Sequence, residues 1–234
     1  MCSYHNVNMK EIKKDIRSTA DYKRGRTNNG RKERSDNDFN NPKYKYSIEF
    51  QKRIGIRRAE LEKLTGDDLV IDESGYLCVR VKSGKGGKKQ LQRILPQDCE
   101  YIKTYFENKN RGERIFSKAE LNNSQSYHTL RAQNARRCYE YYLDLIATEE
   151  GRTTLTGEIR LRFAMPDKNG KIKHKAFKEE FVVGTYKLKG NNKKLAVENN
   201  LPTEYDKLAL MAVSVFHLSH WRNDVTVASY MLAI

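Results

Sequence analysis

Hydrophobic positions along this chain change period abruptly, and each change marks an element. From Tyr46 onward, Ile48, Ile54, Leu61 and Leu64 share one face at helical spacing, with a break at Gly55. Two short helices joined at that glycine are predicted. Leu69 and Ile71, a turn at residues 73–75 and a run at 76–81 rich in β-formers then read as strands. After SGKGGKK the stretch LQRIL alternates apolar and polar up to Pro96, which predicts a hairpin whose Gly-rich turn carries lysines. Helical patterns return at 98–107 and at 126–146, the latter with Leu130, Tyr141 and Leu145 as core candidates.

Two further stretches have their own character. Residues 148–200 read as an inserted module, because Ile159, Leu161, Phe163 and Met165 alternate into PDKNGK before a second run, IKHKAF. A β-hairpin is the expectation there. Thr203 with Asp206 resembles a capping box opening a last helix through Leu208, Met211, Val215 and Leu218. Residues 1–45 are rich in Asn, Lys and Arg without a sustained period, and read as an extended arm or disordered tail.

Composition narrows the partners. Forty-five Lys and Arg against 30 Asp and Glu leave a formal charge of +15 over 234 residues, which a polyanion would share. Nucleic acid leads the candidates. No apolar run reaches the roughly 18 residues of a membrane span, and the N-terminus lacks the apolar core of a secretory signal, so a cytoplasmic protein is expected. Cys2, Cys78, Cys99 and Cys138 have no paired spacing, which suits neither a zinc site nor a disulfide framework.

Several chemistries fall away at the motif level. SGKGGKK fails the spacing of a nucleotide-binding P-loop, since Val79 holds the first Gly position and Gly86 follows Lys85. His217 and His220 lie three apart but lack an acidic or cysteine partner at ligand spacing, and no carboxylate cluster for paired Mg²⁺ ions is evident. No metal or other cofactor is expected. What remains is an ordered series, GIRRAEL (55–61), SGKGGKK (83–89), YHTLR (127–131) and LSHWRNDVTVASY (218–230).

In these four stretches the chain resembles the catalytic domain of tyrosine recombinases, the phage-type integrases, particularly those of mobile elements of low-GC bacteria. The likeness runs from about Tyr46 to the end. It implies a mainly helical α/β (α+β) fold, with a small β-hairpin near the first helices and a catalytic domain at 46–234 that includes the 148–200 insertion. It also implies a set of catalytic residues: Arg57, supported structurally by Glu60; Lys85 on the hairpin, with Lys82 a less favoured register; His128 and Arg131 from His-x-x-Arg; His220 from LSH; and Tyr230 as nucleophile. Arg58, Lys82, Lys88 and Lys89, together with Lys171 and Lys173 of the insertion, are expected DNA contacts.

Physical chemistry fits this set. Metal-free cleavage of a phosphodiester needs cations fixed around oxygens that gain charge in the transition state. Arg57 and Arg131 are planar bidentate donors of that kind. His128 and Arg131 share a helix face. A phenol is a weak nucleophile at its reference pKa of about 10, so one used for attack needs a base or cations alongside. His128 is the expected base, Lys85 the proton donor to the departing 5′ oxygen, and His220 a hydrogen-bond partner of the phosphate.

By this resemblance the partners are double-stranded DNA at recombination sites, copies of the chain in a tetramer on DNA, and accessory DNA-bending or directionality proteins, with no membrane. The family usually carries a helical core-binding domain ahead of the catalytic one, where here the arm of 1–45 stands. A non-catalytic or truncated integrase-derived DNA-binding protein is therefore the second expectation. Ser219 stands where the family usually has Gly, Thr129 where it has Asp, and Ala132 where it often has His.

Overall fold

α1, Lys45–Ile54, forms because Ile48, Gln51 and Ile54 recur on one side and are buried there, with Ser47 and Phe50 beside them. It ends at Gly55, whose φ of 65° is left-handed and whose N–H returns to the Gln51 carbonyl at 2.9 Å. A Cβ at Gly55 would lie 2.9 Å from Asn134 Nδ2 and 3.4 Å from Arg131 Cα, so only glycine lets this corner approach the helix that carries Arg131. The computed structural model describes residues 39–84, 89–121, 125–165 and 176–232. Among the described residues the first regular element starts at Pro42, inside the stretch read as an arm: Asn41 Oδ1 accepts from Lys43 N at 3.0 Å and starts a short 3₁₀ turn.

α2, Arg58–Leu61, leads into an antiparallel meander of β1, Leu69–Ile71, β2, Leu77–Val81, and β3, Gln90–Arg93, in the order β1-β2-β3. Asp72 Oδ1 closes the first turn by accepting from Ser74 N at 3.0 Å and Tyr76 N at 2.9 Å. α3, Cys99–Lys103, is shorter than the 98–107 pattern and runs on as turns. After α4, Lys118–Leu121, comes the long α5, Tyr127–Leu145.

The described architecture is α+β, mostly helical with small antiparallel sheets. None of its helices is long and apolar enough to cross a membrane, among the described residues. Their buried side chains fall into two clusters, and α5 belongs to both. Tyr127 and Leu130 join the cluster of α1, the meander and α3, whereas Ala135, Cys138, Tyr142 and Ile146 join that of the C-terminal half. Arg131 lies at the change-over. Tyr142 and Ile146, rather than Tyr141 and Leu145, fill this second core, and the latter pair packs only partly buried against it.

The insertion differs from expectation. Of the residues read as a strand from Ile159 to Met165, all but Met165, the C-cap, belong to α6, Glu149–Ala164, capped at its start by Thr148 Oγ1 accepting from Gly151 N at 3.1 Å. Leu155, Ile159 and Phe163, spaced by four, are its buried face, while Leu161 and Met165, which the alternation placed with them, are exposed. Short strands do occur nearby, but they are β4, Thr185–Lys187, and β5, Glu204–Asp206, paired antiparallel and separated by α7, Gly190–Glu198. The hairpin turn expected at 166–175 lies outside the described residues.

Asp206 itself, not Thr203, caps the next helix, accepting from Leu208 N at 2.8 Å and Ala209 N at 3.2 Å. That helix, α8, Lys207–Ala212, continues as a π-helical segment, Val213–Leu218. The chain turns through Ser219 and Trp221, both with positive φ, into α9, Asn223–Thr226, and a second π-helical segment, Val227–Met231. Both π segments pack on α5.

Candidate active site

Arg131, in the first turns of α5, is 2% exposed. Its Nη1 donates to the Gly55 carbonyl, its Nη2 to the Leu218 carbonyl at 3.0 Å, and its Nε to the Tyr230 hydroxyl at 3.2 Å. Three distant parts of the chain therefore meet on one guanidinium. All three acceptors are neutral oxygens. Burial pushes the Arg131 pKa below its ordinary value, with the phenol of Tyr230 opposing and the neighbouring Arg57 charge adding to the depression.

Tyr230 is 4% exposed and sits on the second π segment. Its hydroxyl also shares a hydrogen bond of 2.9 Å with His220 Nε2. Guanidinium only donates, so the phenol oxygen accepts from Arg131 and its own hydrogen is left to point at His220. The His128 ring lies alongside, 5.5 Å between centroids, as does that of His220, also at 5.5 Å. His220 is thus hydrogen-bonded to the hydroxyl, and His128, the base expected from sequence, stands beside the same ring. His220 reaches it because Ser219 takes φ 54° and ends the preceding segment, while His220 N returns to the Ser214 carbonyl at 3.0 Å.

Arg57 is the N-cap residue of α2. Glu60 accepts from its backbone N at 2.9 Å and from its Nη1 at 2.8 Å, so one buried carboxylate fixes both ends of the residue. Gln90 Nε2, on β3, donates to the same carboxylate at 3.3 Å and ties the meander to it. Arg57, His128, Arg131, His220 and Tyr230 are brought to one place; Lys85 lies outside the described residues.

The expected DNA contacts separate. Lys88, Lys171 and Lys173 lie outside the described residues, and Lys89 is exposed. Lys82 is bound to carboxylates of the turn just ahead of β1, Asp67 at 3.0 Å and Asp68 at 3.1 Å. Arg58 is turned toward the fold: it donates to the Leu121 carbonyl and stacks over Tyr127, 5.6 Å from the ring centre.

The His217/His220 pair weighed as a metal bite is split. His217 is buried against Tyr142 Oη at 3.0 Å, and burial together with Arg93, Arg137, Arg131 and Arg162 pushes its pKa down to about 3. Among the described residues no group of three or more His, Cys, Asp or Glu is arranged to hold a metal ion. Sequence reasoning missed the carbonyls of Gly55 and Leu218, since every residue has one and only the fold aims them. It also missed Gln90, and Arg136, whose Nη1 donates to the Tyr230 carbonyl at 3.1 Å. Comparisons of the chain with family models, with curated proteins and with solved structures find no match.

Proposed function

We propose that this chain is a tyrosine-type DNA-breaking and rejoining enzyme, acting in site-specific integration or excision of a mobile element. The observation that carries the reading is a buried arginine that donates only to neutral oxygens and holds the hydroxyl of a tyrosine also bonded to a histidine. Hydrogen bonds to neutral oxygens offset only part of the cost of desolvating such a charge, and an anion that comes to share it relieves the rest. A phosphodiester is the anion that the excess of basic residues would attract.

The step balances without an external energy source. Tyr230 Oη forms a bond to the scissile phosphorus as its proton passes to His220 Nε2, to which the hydroxyl is hydrogen-bonded. The P–O5′ bond breaks, the phosphate stays on the tyrosine as a 3′-phosphotyrosine, and the 5′ oxygen leaves as a hydroxyl after protonation, for which Lys85 is the proposed donor. Arg131 and Arg57 stabilise the charge on the non-bridging oxygens, and His128 borders the same space. Reversal by another 5′ hydroxyl rejoins the strand. Double-stranded DNA and further copies of the chain on it are the proposed partners.

The test uses nicked duplexes from the ends of the element, incubated in EDTA with wild type or Tyr230→Phe and resolved on denaturing gels. A covalent protein–DNA adduct with wild type alone is the expected outcome. An adduct at the same position with Tyr230→Phe overturns the nucleophile. Salt-sensitive binding with no adduct from either protein overturns catalysis in favour of an integrase-derived DNA-binding protein.

A further inference from the structure

Two adjacent arginines of α5 have different employment. Arg137 is built into the fold, with Asp98 Oδ2 at 2.6 Å, Asn134 Oδ1 at 3.0 Å and the Arg53 carbonyl at 3.3 Å. Arg136 reaches the other way, and its Nη1 donates to the backbone carbonyl of Tyr230 at 3.1 Å. Five residues earlier on the same helix, Arg131 Nε holds the hydroxyl of that tyrosine at 3.2 Å.

We propose that Arg136 is a positioning residue for Tyr230, so that α5 grips the tyrosine at both its main-chain and its phenolic end. The proposal rests on the reading of Tyr230 as the nucleophile. The last carbonyls of a helix have no partner within it, and a cation there meets the negative end of the helix dipole. Tyr230 is one residue from the end of its π segment, so Arg136 supplies what the segment itself lacks. Winding of this kind is locally loose: the closing bond, Leu232 N to the Val227 carbonyl at 3.1 Å, spans five residues. Val227, Met231 and Leu232 bury apolar side chains on the core, which fixes the depth of the segment. Apolar contact is non-directional. The rotation that aims the phenol is set by the two arginines.

The experiment compares wild type with Arg136→Ala, Arg136→Gln, Arg136→Lys and, as a control at an exposed site of the same helix, Gln133→Ala. Nitration of Tyr230 by tetranitromethane, located by mass spectrometry without DNA, reads the grip directly. Single-turnover adduct formation and the Kd for nicked duplex read its consequence. Arg136→Ala and Arg136→Gln are expected to nitrate faster at Tyr230 and to form adduct about 10- to 100-fold more slowly, with Kd held within about twofold. Arg136→Lys recovers part of the rate, and Gln133→Ala matches wild type. Unchanged nitration and adduct rates in a folded Arg136 variant overturn the proposal. So does a loss carried entirely by Kd, which would make Arg136 a phosphate contact. If wild type forms no adduct, the enzymatic reading fails, and the nitration comparison still decides whether Arg136 holds the tyrosine.

Discussion

Two buried arginines, Arg93 and Arg131, are each 2% exposed, and their surroundings are opposite. Arg93, on β3, binds Asp72 Oδ2 at 2.6 Å and also Glu158, and lies 3.6 Å from the centre of the Phe216 ring. Arg162 of α6 adds to the same cluster, on Asp72 at 2.8 Å and on Glu73. Burial alone would lower the Arg93 pKa, but Tyr142, Glu158 and Asp72 outweigh it and raise the value, whereas that of Arg131 falls. One arginine is neutralised inside the fold and joins the meander to α6. The other is held by carbonyls and a phenol, which orient a charge without cancelling it. A buried cation with its acids supplied belongs to the scaffold; one left to neutral oxygens is, on the proposed function, prepared for an anion from outside.

The largest expected effect separates these roles. Arg93→Met takes the guanidinium from Glu158 and leaves Asp72 with Arg162 alone, and should cost about 3–5 kcal/mol in urea unfolding. Arg131→Met should cost less than half as much, because lost hydrogen bonds are offset by relief of desolvation, while the cleavage barrier rises by about 3 kcal/mol. Sulfate strengthens apolar burial in any folded chain, so it should raise every unfolding midpoint, but further in wild type and Arg93→Met than in Arg131→Met. An equal sulfate response in Arg131→Met breaks the contrast.

The next effect is a pH slope from His217, which faces both regions. Its folded pKa of about 3 lies below the ordinary 6.5. Above about pH 6.5 both folded and unfolded chains keep it neutral and its contribution is complete. As pH falls below that value the unfolded chain takes up a proton that the folded core refuses, and stability drops by about 1.4 kcal/mol per pH unit. Asp72, held below its ordinary value, contributes only at lower pH. His217→Gln keeps a polar group for Tyr142 and should flatten the slope of stability between about pH 6 and 4; an unaltered slope assigns it elsewhere. The smallest effect is at Ser219. A left-handed conformation costs a non-glycine residue about 1–2 kcal/mol, and glycine gives back about 0.5–1 in chain entropy, so Ser219→Gly should stabilise by about 0.5–1 kcal/mol. No gain in thermal unfolding would mean that the serine hydroxyl is used there.

Legibility followed the kind of force involved. The Gly55 break, the three-strand meander and α5 were readable because burial imposes a period and turns require particular residues. The strand reading of 159–165 failed because positions spaced by two include those spaced by four, and only the burial of Leu155 and exposure of Leu161 tell them apart. Nothing local in the sequence says that Arg93, Asp72 and Arg162, three distant ions, will close on one another. Arg57, His128, Arg131, His220 and Tyr230 were reached through wording that resembles a family. The carbonyls that hold Arg131 and the link from Arg136 to Tyr230 depend on tertiary approach and left no mark in residue type.

The two π segments make chain length itself a determinant of the site. A π turn accommodates one residue more than an α turn, so each of Val213–Leu218 and Val227–Met231 contains one residue in excess of regular winding. Each residue advances an α-helix by about 100°. Deleting exposed Ala228 would let the last segment relax to α geometry and carry the phenol about a quarter turn away from His220, with composition and core almost unchanged. Substitutions around Tyr230 are therefore a milder perturbation than any single-residue change in count between Ser219 and the tyrosine, and the phase of the winding is inherited as a length.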